Sequence, residues 1–386
     1  MKRNSEEQQI YKGFEQGPIR PPSEAASLLI RITRNCPWNR CTFCPVYKKR
    51  TFSLRPLEHI LRDIDTIHRH VGLIRERIGG AGKITREHIL ALSERTGPQE
   101  RMALNAALHW AGNGMQSIFL QDANSLIIKP QDLIAILAHL KDRFPWVKRI
   151  TSYARSRTLA RISSRDLVLM AAAGLNRIHI GMESGSDEVL AMVHKGADKA
   201  THIKAGLKVK EAGMELSEYV MPGLGGRALS RIHALETADA LNRINPDFIR
   251  LRTLALSPRQ SAAFNQGTFE KLNDRGIVEE NLLFLEGLDG ISSTLKSDHI
   301  LNLFEDMEGT FPQDKEKMTA IAKSFLALPA HEQMLYRVGR RMGLFFGLGD
   351  LEDPAGRARA QEACARSGIC QDNVDDVIDE IMKRFI

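Results

Sequence analysis

The sequence contains no long hydrophobic run, and none of its apolar stretches reaches the roughly 18 residues that a bilayer-spanning helix needs. Its first residues are charged and lack the apolar core of a signal peptide. Cysteine is also scarce, with five in 386 residues, too few for a disulfide framework. These absences exclude a membrane protein and a secreted disulfide scaffold, and they predict a cytoplasmic protein.

Aromatic residues are scarce as well, at 6% of the chain, and no appended nucleic-acid-binding module is recognisable. The remaining composition is typical of a globular protein with a large core, with 43% hydrophobic and 26% charged residues. A disordered chain is therefore excluded. The formal net charge of +7 is mildly basic for this length, which favours an anionic partner or substrate.

Short apolar runs alternate with segments of helical spacing over residues 27–254. The predicted strands are residues 27–33, 117–120, 148–153, 177–182, 216–221 and 248–254. Strands that alternate with helices are typical of βα units in a parallel sheet. No strand is followed by G-x-G-x-x-G, so an α/β fold of the partial (β/α)6 TIM-like barrel type is favoured over a Rossmann fold.

Three parts are predicted along the chain. Residues 1–24 are a polar N-terminal arm, residues 25–265 form the barrel, and residues 266–386 form a C-terminal helical region rich in good helix formers. Within the barrel, residues 72–115 show no strand pattern and are predicted to be a helical insertion.

Three of the cysteines lie within nine residues, in Cys36-Pro-Trp-Asn-Arg-Cys41-Thr-Phe-Cys44, a C-x4-C-x2-C pattern. This loop follows the first strand, at the sheet edge where βα barrels bind ligands. A closed zinc site needs a fourth ligand, and no residue at finger spacing supplies one. Two interpretations stay open: a metal site completed by a distant residue, and a [4Fe-4S] cluster with one iron open to a small molecule.

The cysteine pattern resembles the cluster motif of the radical S-adenosylmethionine (SAM) superfamily, with Phe43 at the aromatic position before the third cysteine. The usual spacing is C-x3-C-x2-C, so this chain has one extra residue between the first two cysteines. Residues 177–190 and 213–226 are similar to the fourth and fifth strand regions of the branch containing coproporphyrinogen dehydrogenase, methylthiotransferase and elongator-type enzymes. The resemblance covers residues 27–260. The cluster ligands that it implies are Cys36, Cys41 and Cys44.

The resemblance also implies a set of SAM-binding residues at the ends of the strands. The family's glycine-rich segment after strand 2 is replaced here by residues that include Gln121 and Asp122. Lys195 resembles a basic residue that reaches the SAM carboxylate, although a lysine at a helix C-terminus is also common for structural reasons. The implied SAM-binding residues are Gln121, Asp122, Ser152, Arg155, Glu183, Lys195 and Met221.

The activity implied by the resemblance is reductive cleavage of SAM to a 5′-deoxyadenosyl radical, which abstracts hydrogen from an unidentified substrate. An external reductant such as flavodoxin or ferredoxin is implied with it. Residues 31–62 hold eight Arg and Lys residues against one acid, Glu58, so the partner of this region is expected to be anionic: SAM itself, the substrate, an acidic electron donor or RNA.

Two other functions stay open at this level. One is an RNA-modifying enzyme of the same superfamily, suggested by the basic residues around the cysteines. The other is a binding protein stabilised by zinc or by an iron–sulfur centre. A simple electron carrier would need a fourth thiolate, for which Cys364 and Cys370 are the remaining cysteines.

Overall fold

A computed structural model describes residues 10–79, 82–256, 264 and 269–383. The predicted α/β class is confirmed: among these residues, eight strands form one sheet in the order β1-β4-β5-β6-β7-β8-β9-β10, and β2 pairs with β3. The strands are β1 (Leu28–Arg31), β2 (Thr33–Arg34), β3 (Ser53–Leu54), β4 (Ser117–Gln121), β5 (Arg149–Ala154), β6 (Leu175–Glu183), β7 (Glu215–Val220), β8 (Phe248–Leu251), β9 (Thr294–Lys296) and β10 (Gly309–Thr310).

Helices follow most of these strands, as the alternating pattern predicts. The α-helices with described bounds are α1 (Leu57–Ile78), α2 (Arg86–Glu94), α3 (Arg101–Gly112), α4 (Pro130–Arg143), α5 (Ser156–Leu159), α6 (Ser164–Ala172), α7 (Asp187–Met192), α8 (Lys199–Glu211), α9 (Gly226–Ile244), α10 (Asp274–Gly287), α11 (Lys315–Ala327), α12 (Ala330–Arg341), α13 (Pro354–Arg366) and α14 (Val374–Met382). None of the helices in the described residues is both long and apolar enough to cross a membrane.

Each of the six predicted strands corresponds to a strand of the sheet, and β1–β4, β4–β5 and β7–β8 pair in parallel. The structure adds β9, parallel to β8, and β10, antiparallel to β9, which the sequence pattern did not reveal. Thr294–Lys296 has three residues, of which only Leu295 is buried. A segment this short cannot show the alternation by which a strand is recognised.

The chain divides into two compact units. The first comprises Met1–Asn39, Val46–His179 and Lys208–Glu215, and the second comprises Arg40–Pro45, Ile180–Leu207 and Leu216–Ile386. In the first unit, α1 buries Ile60, Ile64, Ile67, Val71 and Ile74 at helical spacing. Residues 72–115 contain the end of α1 together with α2 and α3. Trp110 of α3 is fully buried and donates its indole N–H to the Ser117 carbonyl at 2.9 Å.

In the second unit, Asp274 at the start of α10 forms a buried ionic cluster with two arginines of α12. Its carboxylate accepts from Arg337 Nε at 3.1 Å and from Arg341 Nη2 at 2.7 Å. Burial alone would raise the pKa of Asp274, but the charges of Arg341 and Arg337 outweigh it and hold the pKa below its usual range. The ionised carboxylate therefore stabilises the packing of α12 on α10.

Replacing this carboxylate, in Asp274→Asn, is expected to lower the free energy of unfolding at pH 7 by about 3 kcal/mol, because the buried guanidinium of Arg341 loses its counter-charge and that of Arg337 keeps only Asp375. The folded pKa lies below the unfolded value, so this stabilisation is present above about pH 4 and is lost as the pH falls through the folded pKa. Urea unfolding of parent and variant at pH 7 and pH 3 measures both effects. Asp289→Asn, at an exposed position, is the control, and equal midpoints for parent and Asp274→Asn at pH 7 would contradict the prediction.

Candidate functional site

The cysteine loop begins in the first unit, directly after β2. Asn35 and Asn39 both have positive φ angles, 67° and 46°, which asparagine tolerates better than most residues. Between them, Cys36 accepts the Asn39 backbone N–H on Sγ at 3.4 Å. The Asn39 amide in turn donates to the Tyr47 carbonyl at 2.5 Å. This part of the loop is therefore folded back onto the segment that follows the third cysteine.

The other two cysteines belong to the segment Arg40–Pro45 of the second unit. The Cys44 N–H donates to the Cys41 carbonyl at 3.4 Å, which closes a tight turn, and the Thr42 N–H donates to the Val193 carbonyl at 3.1 Å. Phe43 packs against a buried cluster that contains Val193 and Met221. The aromatic residue of the motif thus anchors the turn that carries Cys41 and Cys44.

Cys36, Cys41 and Cys44 are partly exposed and none is in a disulfide. The described part of the chain contains no group of three or more His, Cys, Asp or Glu side chains arranged to hold a metal ion. The assignment of these three cysteines as metal ligands therefore stays a prediction.

Asp122, which follows β4, holds both ends of the cysteine loop. It is fully buried, and its Oδ2 accepts from Arg31 Nη2 at 2.9 Å and from the Asn35 N–H at 3.1 Å. Its Oδ1 accepts a short hydrogen bond from the Tyr47 hydroxyl. Asn35 immediately precedes Cys36, and Tyr47 lies three residues after Cys44. This carboxylate, one of the SAM-binding groups that the resemblance implies, is thus already occupied by the loop.

Gln121 is likewise occupied, by the N-terminal segment. Its Oε1 accepts the Gly17 N–H at 2.6 Å, and its Nε2 donates to the carbonyls of Gly17 and Ile19 at 3.0 and 2.6 Å. The described part of the predicted arm is therefore bound to the end of β4. Local sequence patterns could not predict these hydrogen bonds, because the bonded residues lie more than 100 positions apart.

Ser152 and Arg155, at the end of β5, have different surroundings. The Ser152 hydroxyl is fully buried and donates to the Leu120 carbonyl at 3.1 Å. The Arg155 guanidinium lies 5.1 Å from the ring centroid of Trp38, a residue of the cysteine loop. Of these two predicted residues, Arg155 is the one that contacts the loop.

In the second unit, Glu183 and Lys195 form an ion pair, with Lys195 Nζ 3.0 Å from Glu183 Oε1 and both side chains about one-eighth exposed. Glu183 ends β6 with a φ of 67°, an unusual angle for a residue with a side chain. A Cβ at Gly181 would lie 2.3 Å from Glu183 Oε1, so a side chain at this position would displace the Glu183 carboxylate from its present place beside Lys195. The Met221 N–H donates to the Glu183 carbonyl at 2.9 Å, which brings these three predicted residues together.

Glu218, in the middle of β7, is a candidate that the sequence analysis missed. It is fully buried, and within the described ranges neither carboxylate oxygen has a hydrogen-bond partner. Burial raises the pKa of Glu218 well above its usual range; the Glu183 charge raises it further, and the Lys195 charge lowers it. The sequence did offer one signal, a glutamate inside a predicted strand, because glutamate is rarely buried. Where it is buried, its pKa is perturbed, and such carboxylates cluster at functional sites.

Removing the charge, in Glu218→Gln, is expected to stabilise the protein without its cofactors at pH 7 and to raise its urea midpoint, because burial penalises the charged form of this carboxyl group. Because the folded pKa is raised, the parent loses stability as the pH rises above the unfolded value of about 4.3, and the two proteins converge near pH 4. Urea unfolding at both pH values tests this, with the exposed Glu188→Gln as control. If the Glu218→Gln variant were less stable than the parent at pH 7, burial of the Glu218 carboxylate would not destabilise the protein, and the prediction would be wrong.

A comparison with family profiles finds one match that includes these residues. The profile of the radical SAM superfamily matches residues 30–237, more than half of the 386 residues. The matched range contains the three clustered cysteines, the Glu183–Lys195 pair and Glu218. No curated protein sequence matches the chain.

Solved structures of radical SAM enzymes are similar to this chain at low identity. Coproporphyrinogen III oxidase (HemN) from Escherichia coli is 17% identical, with a TM-score of 0.45 over 67% of this chain and 52% of that chain. Elp3 from the archaeon Methanocaldococcus infernus is 15% identical, with a TM-score of 0.40 over 54% and 55%. The methyltransferase TsrM from Kitasatospora setae, with cobalamin and a [4Fe-4S] cluster bound, is 13% identical, with a TM-score of 0.43 over 88% and 62%. The chain spans about half the length of the first two.

Proposed function

Because the chain belongs to the radical SAM superfamily, we propose that Cys36, Cys41 and Cys44 hold a [4Fe-4S] cluster and that strand-end residues hold SAM. Membership of this superfamily makes the chain an enzyme with these two cofactors. When bound, they supply reductive cleavage of SAM to a 5′-deoxyadenosyl radical that abstracts hydrogen from the substrate. The observation that carries the proposal is the profile match, because residues 30–237 include all three clustered cysteines.

The three thiols have the chemistry that an iron–sulfur cluster requires. They are free of disulfides and partly exposed, and thiolates are the usual ligands of such clusters. Three ligands leave one iron without a protein ligand, as the resemblance requires for SAM binding. Asp122 supports this role from outside the ligand set, because it holds the residues that precede Cys36 and follow Cys44.

The second unit offers the polar groups that suit SAM. We assign Lys195 to the SAM carboxylate and Glu183 to a ribose hydroxyl or the ammonium group, since each is partly exposed beside its partner. Glu218 is added to this set, because a bound polar molecule would supply the hydrogen bonds that its buried oxygens lack. Met221 is proposed to border the adenine. Gln121, Asp122 and Ser152 are proposed to act through the position of the backbone, because protein partners occupy their side chains.

Anaerobic reconstitution with iron and sulfide tests the function directly. The expected result is about four irons per chain, an electron paramagnetic resonance signal of the reduced protein that changes when SAM is added, and 5′-deoxyadenosine after addition of dithionite. One tightly bound zinc and no iron would instead identify a zinc-stabilised binding protein. An iron–sulfur signal that is insensitive to SAM would refute SAM binding at the cluster.

A further inference from the structure

The eight basic residues of positions 31–62 separate into distinct groups in the structure. Three of them face one acid within the first unit: Glu15 lies 3.2 Å from Arg31, 2.6 Å from Arg34 and 2.7 Å from Arg55. Burial alone would raise the pKa of Glu15, but the three arginines outweigh it and keep the pKa below its usual range. Arg31 also pairs with Asp122 and Arg55 with Asp63, so these arginines are engaged in internal ion pairs and are not the basic surface that the sequence suggested.

Three others, Lys48, Lys49 and Arg50, point outward on one turn. All three are exposed, and in the described part of the chain none of them forms an ion pair. Lys48 Nζ donates to the Asn39 carbonyl, at 3.3 Å. Lys49 has a φ of 63°, so the backbone turns sharply at the centre of the group. The 48–50 turn thus presents three consecutive exposed cations that have no ion-pair partner among the residues that the structure describes.

This turn is joined to the cysteine loop by hydrogen bonds. Asn39, which lies between the first two cysteines, donates its side-chain amide to the carbonyls of Tyr47 and Arg50 at 2.5 and 3.3 Å. It also accepts from Lys48 through its own carbonyl. A molecule seated on the 48–50 turn would therefore sit beside the loop that carries Cys36.

We propose that the 48–50 turn is the docking surface for an acidic protein that donates one electron to the cluster. The inference rests on the proposed function, because radical SAM enzymes require an external reductant. In the docked complex one electron leaves the donor's reduced flavin or iron–sulfur centre and enters the cluster, so that the donor is oxidised and the cluster reduced, with no bond made or broken. Electron-transfer complexes are small and rely on opposite charge for rapid encounter. Three consecutive exposed cations would attract an acidic donor in this way.

RNA fits this surface less well. Proteins that bind single-stranded nucleic acid combine cations with aromatic side chains on which bases stack. Tyr47, the aromatic residue that immediately precedes the 48–50 turn, is only 2% exposed, and its hydroxyl is bonded to Asp122. The turn therefore offers charge without a stacking surface.

The test compares two electron donors on the reconstituted enzyme. The variant Lys48→Glu/Lys49→Glu/Arg50→Glu is compared with Lys83→Glu/Arg86→Glu/Arg101→Glu, which makes the same charge change at exposed residues of the α2–α3 region. Cluster reduction is followed by stopped-flow absorbance, with reduced flavodoxin or with dithionite. We expect the flavodoxin rate at low salt to fall at least about tenfold in the first variant only, and the dithionite rate to change little. The parent's flavodoxin rate should also fall as salt is added.

A milder variant, Lys48→Gln/Lys49→Asn/Arg50→Gln, keeps a residue that tolerates positive φ at position 49 and is expected to give an intermediate flavodoxin rate. Equal flavodoxin rates for parent and both turn variants, at equal iron content, would overturn the docking surface and leave the proposed function intact. Salt-dependent binding of a labelled single-stranded RNA that is lost in the turn variants, with unchanged flavodoxin rates, would overturn it in favour of RNA. If dithionite reduces no iron–sulfur centre in the parent, the proposed function fails and the docking surface fails with it.

Discussion

Replacement of Cys36, Cys41 or Cys44 by alanine is expected to remove the iron–sulfur centre and to lower 5′-deoxyadenosine formation at least about a thousandfold, the scale seen when one member of a catalytic unit is lost. The reason is that, with two thiolates left, the cluster has too few protein bonds to persist. Each variant is to be measured for iron and sulfide content after identical anaerobic reconstitution, and for deoxyadenosine with dithionite and SAM.

The chain supplies its own controls for this experiment. Cys364 is buried and Cys370 is exposed, and both lie outside the motif. Burial raises the pKa of the Cys364 thiol, so it is a poor source of thiolate. Cys364→Ala and Cys370→Ala should therefore keep the parent's iron content. Loss of iron in either control would indicate a fourth thiolate ligand and a simple electron carrier.

Asp122→Ala is expected to have the second-largest effect, through the position of the cysteine loop. It leaves the Arg31 guanidinium, the Asn35 N–H and the Tyr47 hydroxyl without their common acceptor. We expect the free energy of unfolding to fall by about 3 kcal/mol and the affinity for the cluster to fall about 10- to 100-fold, as for other residues that support metal ligands. Urea unfolding and iron content at limiting iron measure the two effects.

Two further variants separate this role from direct contact with SAM. Tyr47→Phe removes one of the hydrogen bonds to Asp122 and is expected to weaken cluster binding by less than Asp122→Ala. Asp122→Asn keeps the shape but turns an N–H₂ group toward neighbouring donors, so it should also lower the iron content. Full iron content in Asp122→Asn with weakened SAM binding would refute the loop-holding role and support a contact with the SAM amino group.

The order of strands and helices was predictable because it depends on local patterns. The runs before Gln121 and Glu183 are short, apolar and followed by helical spacing, so the sequence alone places both residues at strand ends. What these side chains bind was not predictable in the same way. Gln121 bonds to Gly17 and Ile19, and Asp122 bonds to Tyr47. These partners lie 75 to 104 positions away in the sequence, and no local pattern encodes contacts over such separations.

Glu218 shows a second reason for incomplete prediction. In sequence it is one acidic residue in a strand, and burial of both oxygens without a partner became visible only in the structure. The eight basic residues around the cysteines show the reverse case. They resembled one uniform basic surface, whereas Glu15, from a segment predicted to be a separate arm, forms ion pairs with three of them.

The attachment of the N-terminal segment has a consequence for the order in which the first unit can assemble during synthesis. Glu24 lies 3.4 Å from His179, a residue 155 positions later in the chain. Gln121, which binds Gly17 and Ile19, is also made long after them. This segment can therefore make its contacts with Arg31, Arg34 and Arg55 early, but its contact with His179 only after 155 further residues have been translated.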